Sequence, residues 1–253
     1  MKGDKMKVEE LSQYGKTLSG LPKAAIKKQE SIVMREIKKK FGLFGLLPFM
    51  IKMFFEQRKI KSKYPQVYED CKNKLSKGAA KEFLMMISMY QLIARKEGEK
   101  NAYDFIQSIF QKVAVYSMPA LYQIDDLVNC EGDTFDNFVK FNIAWFKAMN
   151  KEGTFKVSEI KEEKDKLTII VNGCANCVYG NAYDCPEVAK LGCDHDLAGY
   201  PVIIDKVNAE FRRPHTIAKG DAFCDFMFYR KGTAPDWELI DGKEVQWDYS
   251  LNK

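Results

Sequence analysis

The sequence predicts an α+β fold in which a helical N-terminal half packs with a C-terminal antiparallel sheet of order ββ-αα-ββ. Three observations carry this. Residues 21–150 place apolar side chains at helical spacing without strand-like alternation. Two β-branched runs after Gly153 are joined by a charged turn. Two further runs flank Gly220-Asp221. The change of pattern divides the chain into a helical region, 1–150, and an α+β region, 151–253, expected to form one continuous globular unit. At 253 residues, 46% hydrophobic and 30% charged, the chain is long enough to bury a core of its own.

Taken in order, residues 21–60 are rich in Lys, Glu, Ile, Met and Phe, and the interruption at 42–48 predicts two helices there rather than one. After Tyr64-Pro65, a short helix is expected over 66–75. Residues 77–95 carry Phe83, Leu84, Ile87 and Ile93 on one face and should end near Gly98. Residues 101–116 continue with Phe105, Ile106, Ile109, Phe110 and Val113. Asp133 or Thr134 is placed to cap a helix through Asn150 that carries Phe138, Phe141, Trp145 and Phe146. The aromatic and Met stripes are read as core-facing rather than pocket-lining. Asp125-Asp126 lack spaced partners and are read as a turn or cap.

Beyond Gly153, strands are expected over 154–160 and 167–171, and again over 207–218 and 222–229 about the Gly220-Asp221 turn. Two short helices should lie between the hairpins. The first begins at Asp184, with Pro186 in its first turn, and stops at Gly192. The second starts within 194–196 and runs towards Val207, with Pro201 near its first turn. Trp237, Trp247 and Tyr249 are expected to anchor a final extended segment.

The formal charge of +5 falls on a Lys-rich first hundred residues and is read mainly as solvated helical faces; no nucleic-acid motif accompanies it. Residues 41–55, FGLFGLLPFMIKMFF, fall short of the roughly 20 residues needed to span a bilayer and contain Pro48 and Lys52. A buried, kinked helix is therefore expected in preference to a membrane-lying segment. No secretory signal precedes the seven cysteines, which predicts reduced thiols and a cytoplasmic location. The expected partner is a small-molecule substrate, with no nucleic acid and no stable membrane insertion; a homo-oligomer is left open.

Residues 174–226 concentrate the reactive side chains: five of the seven cysteines and both histidines. Cys174-Ala-Asn-Cys177 with Cys185 and Cys193 offers four thiolate ligands for zinc. Structural zinc sites come as two close pairs, however, and here the last two cysteines stand singly. A metal-free site is the main reading and zinc the alternative, while CxxC redox chemistry lacks a thioredoxin-like βαβ context. Cys193-Asp194-His195-Asp196 stands at the expected start of a helix, where the dipole lowers a thiol pKa. An ionised Cys193 would be a nucleophile, with His195 or His215 moving a proton and Asp196 orienting an imidazole or holding a cationic substrate. The competing reading makes Cys193 a small buried hydrophobe and the aspartates caps. Cys224-Asp225 alternate on the last strand, so one of them faces its covered side, and Arg212-Arg213 on the partner strand can offer a guanidinium to a carboxylate.

Cys193-x-x-Asp196, followed by Arg212-Arg213-Pro214-His215-Thr216-Ile217-Ala218-Lys219-Gly220-Asp221 and Cys224-Asp225-Phe226, resembles the signature of the L-2-amino-thiazoline-4-carboxylic acid hydrolase family. Cys177 and Cys185-Pro186-Glu187-Val188 add to the resemblance. More distantly, the chain is similar to 4-vinyl reductase-like and vesicle-tethering-subunit-like small-molecule-binding domains, which pack helices on an antiparallel sheet. The family resemblance implies water addition at C2 of a 2-aminothiazoline ring, opening it to an N-carbamoyl-cysteine. It makes Cys193, His195, Asp196, Cys224 and Asp225 candidate catalytic residues and Arg212, Arg213, His215 and Thr216 candidate substrate contacts. Cys174, Cys185 and His195 stand as additions to the family pattern. Whether Cys193 attacks or Asp196 activates water stays open. So do two other readings: a small-molecule sensor without turnover, and a zinc-stabilised interaction protein.

Overall fold

In a computed structural model, residues 5–17 and 20–236 are described, and Trp237, Trp247 and Tyr249 lie outside them. The helical half comprises α1 (Lys23–Lys63), α2 (Pro65–Lys74), α3 (Lys77–Glu97), α4 (Glu99–Leu121), the single turn α5 (Ile124–Leu127) and α6 (Thr134–Lys151). The remainder runs β1 (Phe155–Glu163), β2 (Lys166–Cys174), α7 (Ala175–Ala182), α8 (Glu187–Ile203), β3 (Ala209–Arg212) and β4 (Cys224–Arg230). All strand pairs are antiparallel in the order β1-β2-β4-β3. This is the expected ββ-αα-ββ sheet beneath a helical N-terminal half. No helix among the described residues is long and apolar enough to cross a membrane.

Local chemistry sets the helix ends. Ser76 accepts a hydrogen bond from the Ala79 amide at the start of α3, and Asp133 accepts from Asp136 at the start of α6, each satisfying an orphan N–H. In α1, Gly42 adopts φ 69°, ψ 174°, a conformation open to glycine, and splits the element into the two expected helices. The second of these is buried on one side only. Phe49, Met53 and Ile60 join the core, whereas Phe44 is 94% exposed and Phe54 and Phe55 more than half exposed, which corrects the expectation of a buried segment.

Two apolar cores hold the fold, and each draws on both sides of residue 150. One joins α6 and the end of α4 to the sheet face bearing Leu167, Ile169, Val171, Phe211, Phe226 and Phe228. The other joins α1–α4 to α7 and the first half of α8. The two helices between the hairpins are divided differently from expectation. α7 directly follows β2, and α8 runs unbroken through Gly192 and Pro201. Gly192 does not stop the helix because it serves close packing: a Cβ there would lie 2.2 Å from Asn176 Nδ2. Gly199 plays the same part against Met118 on α4. The second hairpin also differs. β3 pairs with β4 from Ala209↔Arg230 to Arg212↔Met227, but residues 213–223 make a longer excursion with one 3-10 turn, Ile217–Lys219, ended by Gly220 at φ 97°.

Candidate functional site

The polar centre forms where the middle of α8 faces the ends of β2 and β4. Cys193 and Asp196 stand three residues apart on α8 and so share a face. Arg213 follows Arg212 in extended chain, and strand alternation sends the two side chains to opposite sides. Arg213 enters the helix-covered side with its side chain 1% exposed. Its Nη1 donates to Asp196 Oδ2 at 2.7 Å and its Nη2 to the Cys193 carbonyl at 2.9 Å, while Cζ lies 5.2 Å from the Phe226 ring centroid. Among the described residues Nε has no hydrogen-bond partner. Burial opposes the charge, but Cys193, Asp196 and Cys224 outweigh it and hold the guanidinium pKa above its ordinary value. Arg212 instead donates to Glu210 Oε2 at 3.1 Å and to the Phe211 carbonyl, away from this centre.

Two thiols, Cys193 and Cys224, flank Arg213, and Cys174 and Cys177 lie beside those thiols. Cys224 sits on the core face of β4 with Phe226 and Phe228, and its sulfur accepts from the Ile217 amide at 3.3 Å. Burial pushes its pKa up to about 11. Cys193 is half-buried, and burial pushes its thiol up to about 12, partly offset by the Arg213 charge. The expected lowering at a helix N-terminus does not operate, because Cys193 lies in the interior of α8, where each amide is already bonded within the helix. Cys174 is the N-cap residue of α7, and its thiol interacts with that of Cys177. That interaction and burial raise the Cys174 pKa well above the ordinary thiol value. The same interaction lowers the pKa of Cys177, the opposite of what happens at Cys193 and Cys224. Cys185 belongs to the other core, where Glu187 and Glu99 are its charged neighbours. Among the described residues no three His, Cys, Asp or Glu side chains form a group able to hold a metal ion, so the zinc set Cys174, Cys177, Cys185 and Cys193 is not assembled.

The remaining candidates fall into two neighbouring arrangements. His195 Nε2 lies 3.0 Å from Ser117 Oγ on α4, and its Nδ1 lies 3.7 Å from Asp196 Oδ1, which ties it to the Arg213 centre. His215 and Asp225 form a pair of their own. The Asp225 carboxylate accepts from the His215 amide at 2.8 Å and lies 2.8 Å from His215 Nδ1, and Phe223 packs against the imidazole. Asp225 alternates with Cys224 on β4, so this pair sits on the other face of the strand from the thiols. The Thr216 amide donates to Asp221 Oδ2 at 2.8 Å, which shapes the 213–223 excursion.

Two groups at the centre come from α4 and carry no sequence signal: Ser117, fully buried against His195, and Tyr103, which donates to Asp194 Oδ2 at 2.5 Å. Burial raises the Asp194 carboxyl pKa, opposed by Tyr103 and Gln107. Cys177 was marked by its CxxC spacing and by the family resemblance, not as a member of this centre. Two clefts, of about 230 and 440 Å³, open at Glu56–Arg95 and at Tyr90–Glu187, and neither is lined by a residue of the Arg213 centre.

Chemically, the centre gathers a fixed cation, a carboxylate, an imidazole and several thiols. That set suits a small substrate carrying both a carboxylate and a cationic or electrophilic carbon. A family model described as L-2-amino-thiazoline-4-carboxylic acid hydrolase matches residues 78–228, more than half of the chain, from the start of α3 to β4. Neither a curated protein nor a solved structure matches.

Proposed function

This chain belongs to the L-2-amino-thiazoline-4-carboxylic acid hydrolase family, and we propose that it hydrolyses a small thiazoline-type cyclic amidine at the Arg213–Asp196–Cys193 centre. The observation that carries the reading is the buried guanidinium of Arg213, with Nε unpartnered and with two thiols and a carboxylate around it. A buried donor without a partner is costly in a resting protein and becomes favourable once an anion accepts from it.

In this reading Arg213 takes the substrate carboxylate, and Asp196 faces the amidinium. Cys193 Sγ adds to C2, its proton passing to Asp196 or His195. The C2–S bond of the ring breaks, and the leaving sulfur takes up a proton. Water then adds to the same carbon, the enzyme thiol departs, and a urea remains. The sum is one water added and one ring thiol released. The resting Cys193 thiol is protonated, so attack waits on the substrate cation, whose charge favours the thiolate. Cys224 stands beside Arg213, and the His215–Asp225 pair holds the 213–223 excursion against β4.

The test is to incubate reduced protein with L-2-amino-thiazoline-4-carboxylate and titrate the thiol released. Catalytic thiol release that is lost in Asp196→Asn and Cys193→Ala proteins with unchanged circular dichroism supports the reading. Tight binding without thiol release would instead make the chain a non-catalytic small-molecule-binding domain.

A further inference from the structure

We propose that the second half of α1 is a membrane-surface helix that lays its outer face on an anionic phospholipid bilayer. Residues 43–63 form a helix with two apolar faces. Phe49, Met53 and Ile60 turn inwards to the core shared with α3 and α4, and Glu56 on the same side is paired with Arg95 at 2.7 Å. About half a turn away, Leu43, Phe44, Leu47, Ile51, Phe54 and Phe55 face outwards with exposures of 49–94%. Their spacing puts them on one continuous stripe. A stripe holding three phenyl rings and three branched aliphatic chains is far more apolar than a solvated helix face requires.

Charge complementarity names the occupant. Residues 38–63 contain eight Lys or Arg against a single acid, Glu56, which is buried and neutralised. Lys52, Arg58, Lys59 and Lys61 are exposed along the borders and C-terminal end of the stripe, and the Arg58 guanidinium lies 4.8 Å from the Phe54 ring centroid. An apolar stripe bordered by cations is the pattern of a helix lying in the headgroup region of an anionic bilayer. A second copy of the chain pairing through the same stripe would bring the same cations together about a twofold axis with no acid to offset them. The helix is too short on apolar residues to cross a bilayer, so binding is peripheral. It lies outside the residues matched by the family model, and the inference is independent of the hydrolase reading.

The experiment is co-sedimentation of the full chain with vesicles of phosphatidylcholine alone and of phosphatidylcholine mixed with phosphatidylserine. The expected result is binding to the mixed vesicles, weakened by salt, with little binding to phosphatidylcholine alone. Each of Lys52→Gln, Arg58→Gln and Lys59→Gln should lower the affinity about fivefold. The triple change Phe44→Ser, Phe54→Ser, Phe55→Ser should abolish binding without altering circular dichroism, since all three rings are exposed. Failure to bind the mixed vesicles, equal binding to both compositions, or binding that survives the triple change overturns the proposal. Absence of vesicle binding together with a dimer that Phe44→Ser disperses assigns the stripe to a second copy instead.

Discussion

Replacing Arg213 by Met tests the centre as a unit of structure before any question of turnover. The substitution keeps an unbranched side chain over Phe226 but removes two charge-assisted hydrogen bonds, at 2.7 Å to Asp196 and 2.9 Å to the Cys193 carbonyl. It strands a carboxylate whose side chain is only 19% exposed. Breaking a buried pair from one side costs about 3–5 kcal/mol, and the residual exposure of Asp196 lets water recover part of that, so we expect a loss of about 3 kcal/mol. Adding Asp196→Asn removes the stranded charge, so the double variant should lose about 2 kcal/mol less than the sum of the single changes. Urea unfolding of the four proteins, fitted with a common slope, reads this coupling from the midpoints. Additive effects, or a loss below about 1 kcal/mol for Arg213→Met, would refute the claim that a buried pair organises the centre.

Other positions give independent checks. Burial raises the Asp194 pKa, so the fold binds that proton more tightly than the unfolded chain does. Its contribution is greatest in acid and is lost as pH rises through the raised pKa. Asp194→Asn, which keeps an acceptor for Tyr103, should therefore raise Tm at neutral pH and not at low pH; an equal shift at both would contradict the burial argument. Glu36 has the opposite sign. Burial pushes its carboxyl up, but Lys112, Arg35 and Lys39 outweigh burial and lower it. The stability it supplies is present above the unfolded pKa and lost as pH falls through the lowered one. Glu36→Gln should cost about 1 kcal/mol at neutral pH, given its part-exposed partners, and nothing in strong acid. Gly199→Ala places a methyl 2.2 Å from Met118 Cγ and should cost about 1–3 kcal/mol in denaturant unfolding, relieved by Met118→Ala; a neutral Gly199→Ala would show that α8 and α4 do not pack this closely.

These checks bear on residues of unequal legibility. The helix over 77–97 was readable from its apolar stripe and the Gly98 stop, that over 134–151 because it couples the Asp133 cap to such a stripe, and Gly42 marked the kink in α1 because its backbone signal is local. The same reasoning misplaced the start of the helix around Cys193. It read Gly192 and Pro201 as punctuation, whereas tertiary contacts with Asn176 and Met118 let one helix run past both glycines of α8. The electrostatic reading of Cys193 inverted with it: an expected low-pKa thiol is a buried one pushed up to about 12. Strand alternation correctly separated Cys224 from Asp225, but sequence alone could not say which faced the helices. Nor could it choose between Arg212 and Arg213, since that depends on which side α8 covers. Ser117 and Tyr103, 78 and 91 residues upstream of their partners, reach the centre only through the packing of α4 on α8.

The central claim is most directly tested by acid-quenching the reaction with L-2-amino-thiazoline-4-carboxylate within a single turnover and mapping cysteine adducts by mass spectrometry. The account predicts an adduct bearing the mass of the intact substrate on Cys193, absent from the Arg213→Lys protein. Ring opening with no adduct on any cysteine, at an undiminished rate in Cys193→Ala, would contradict it.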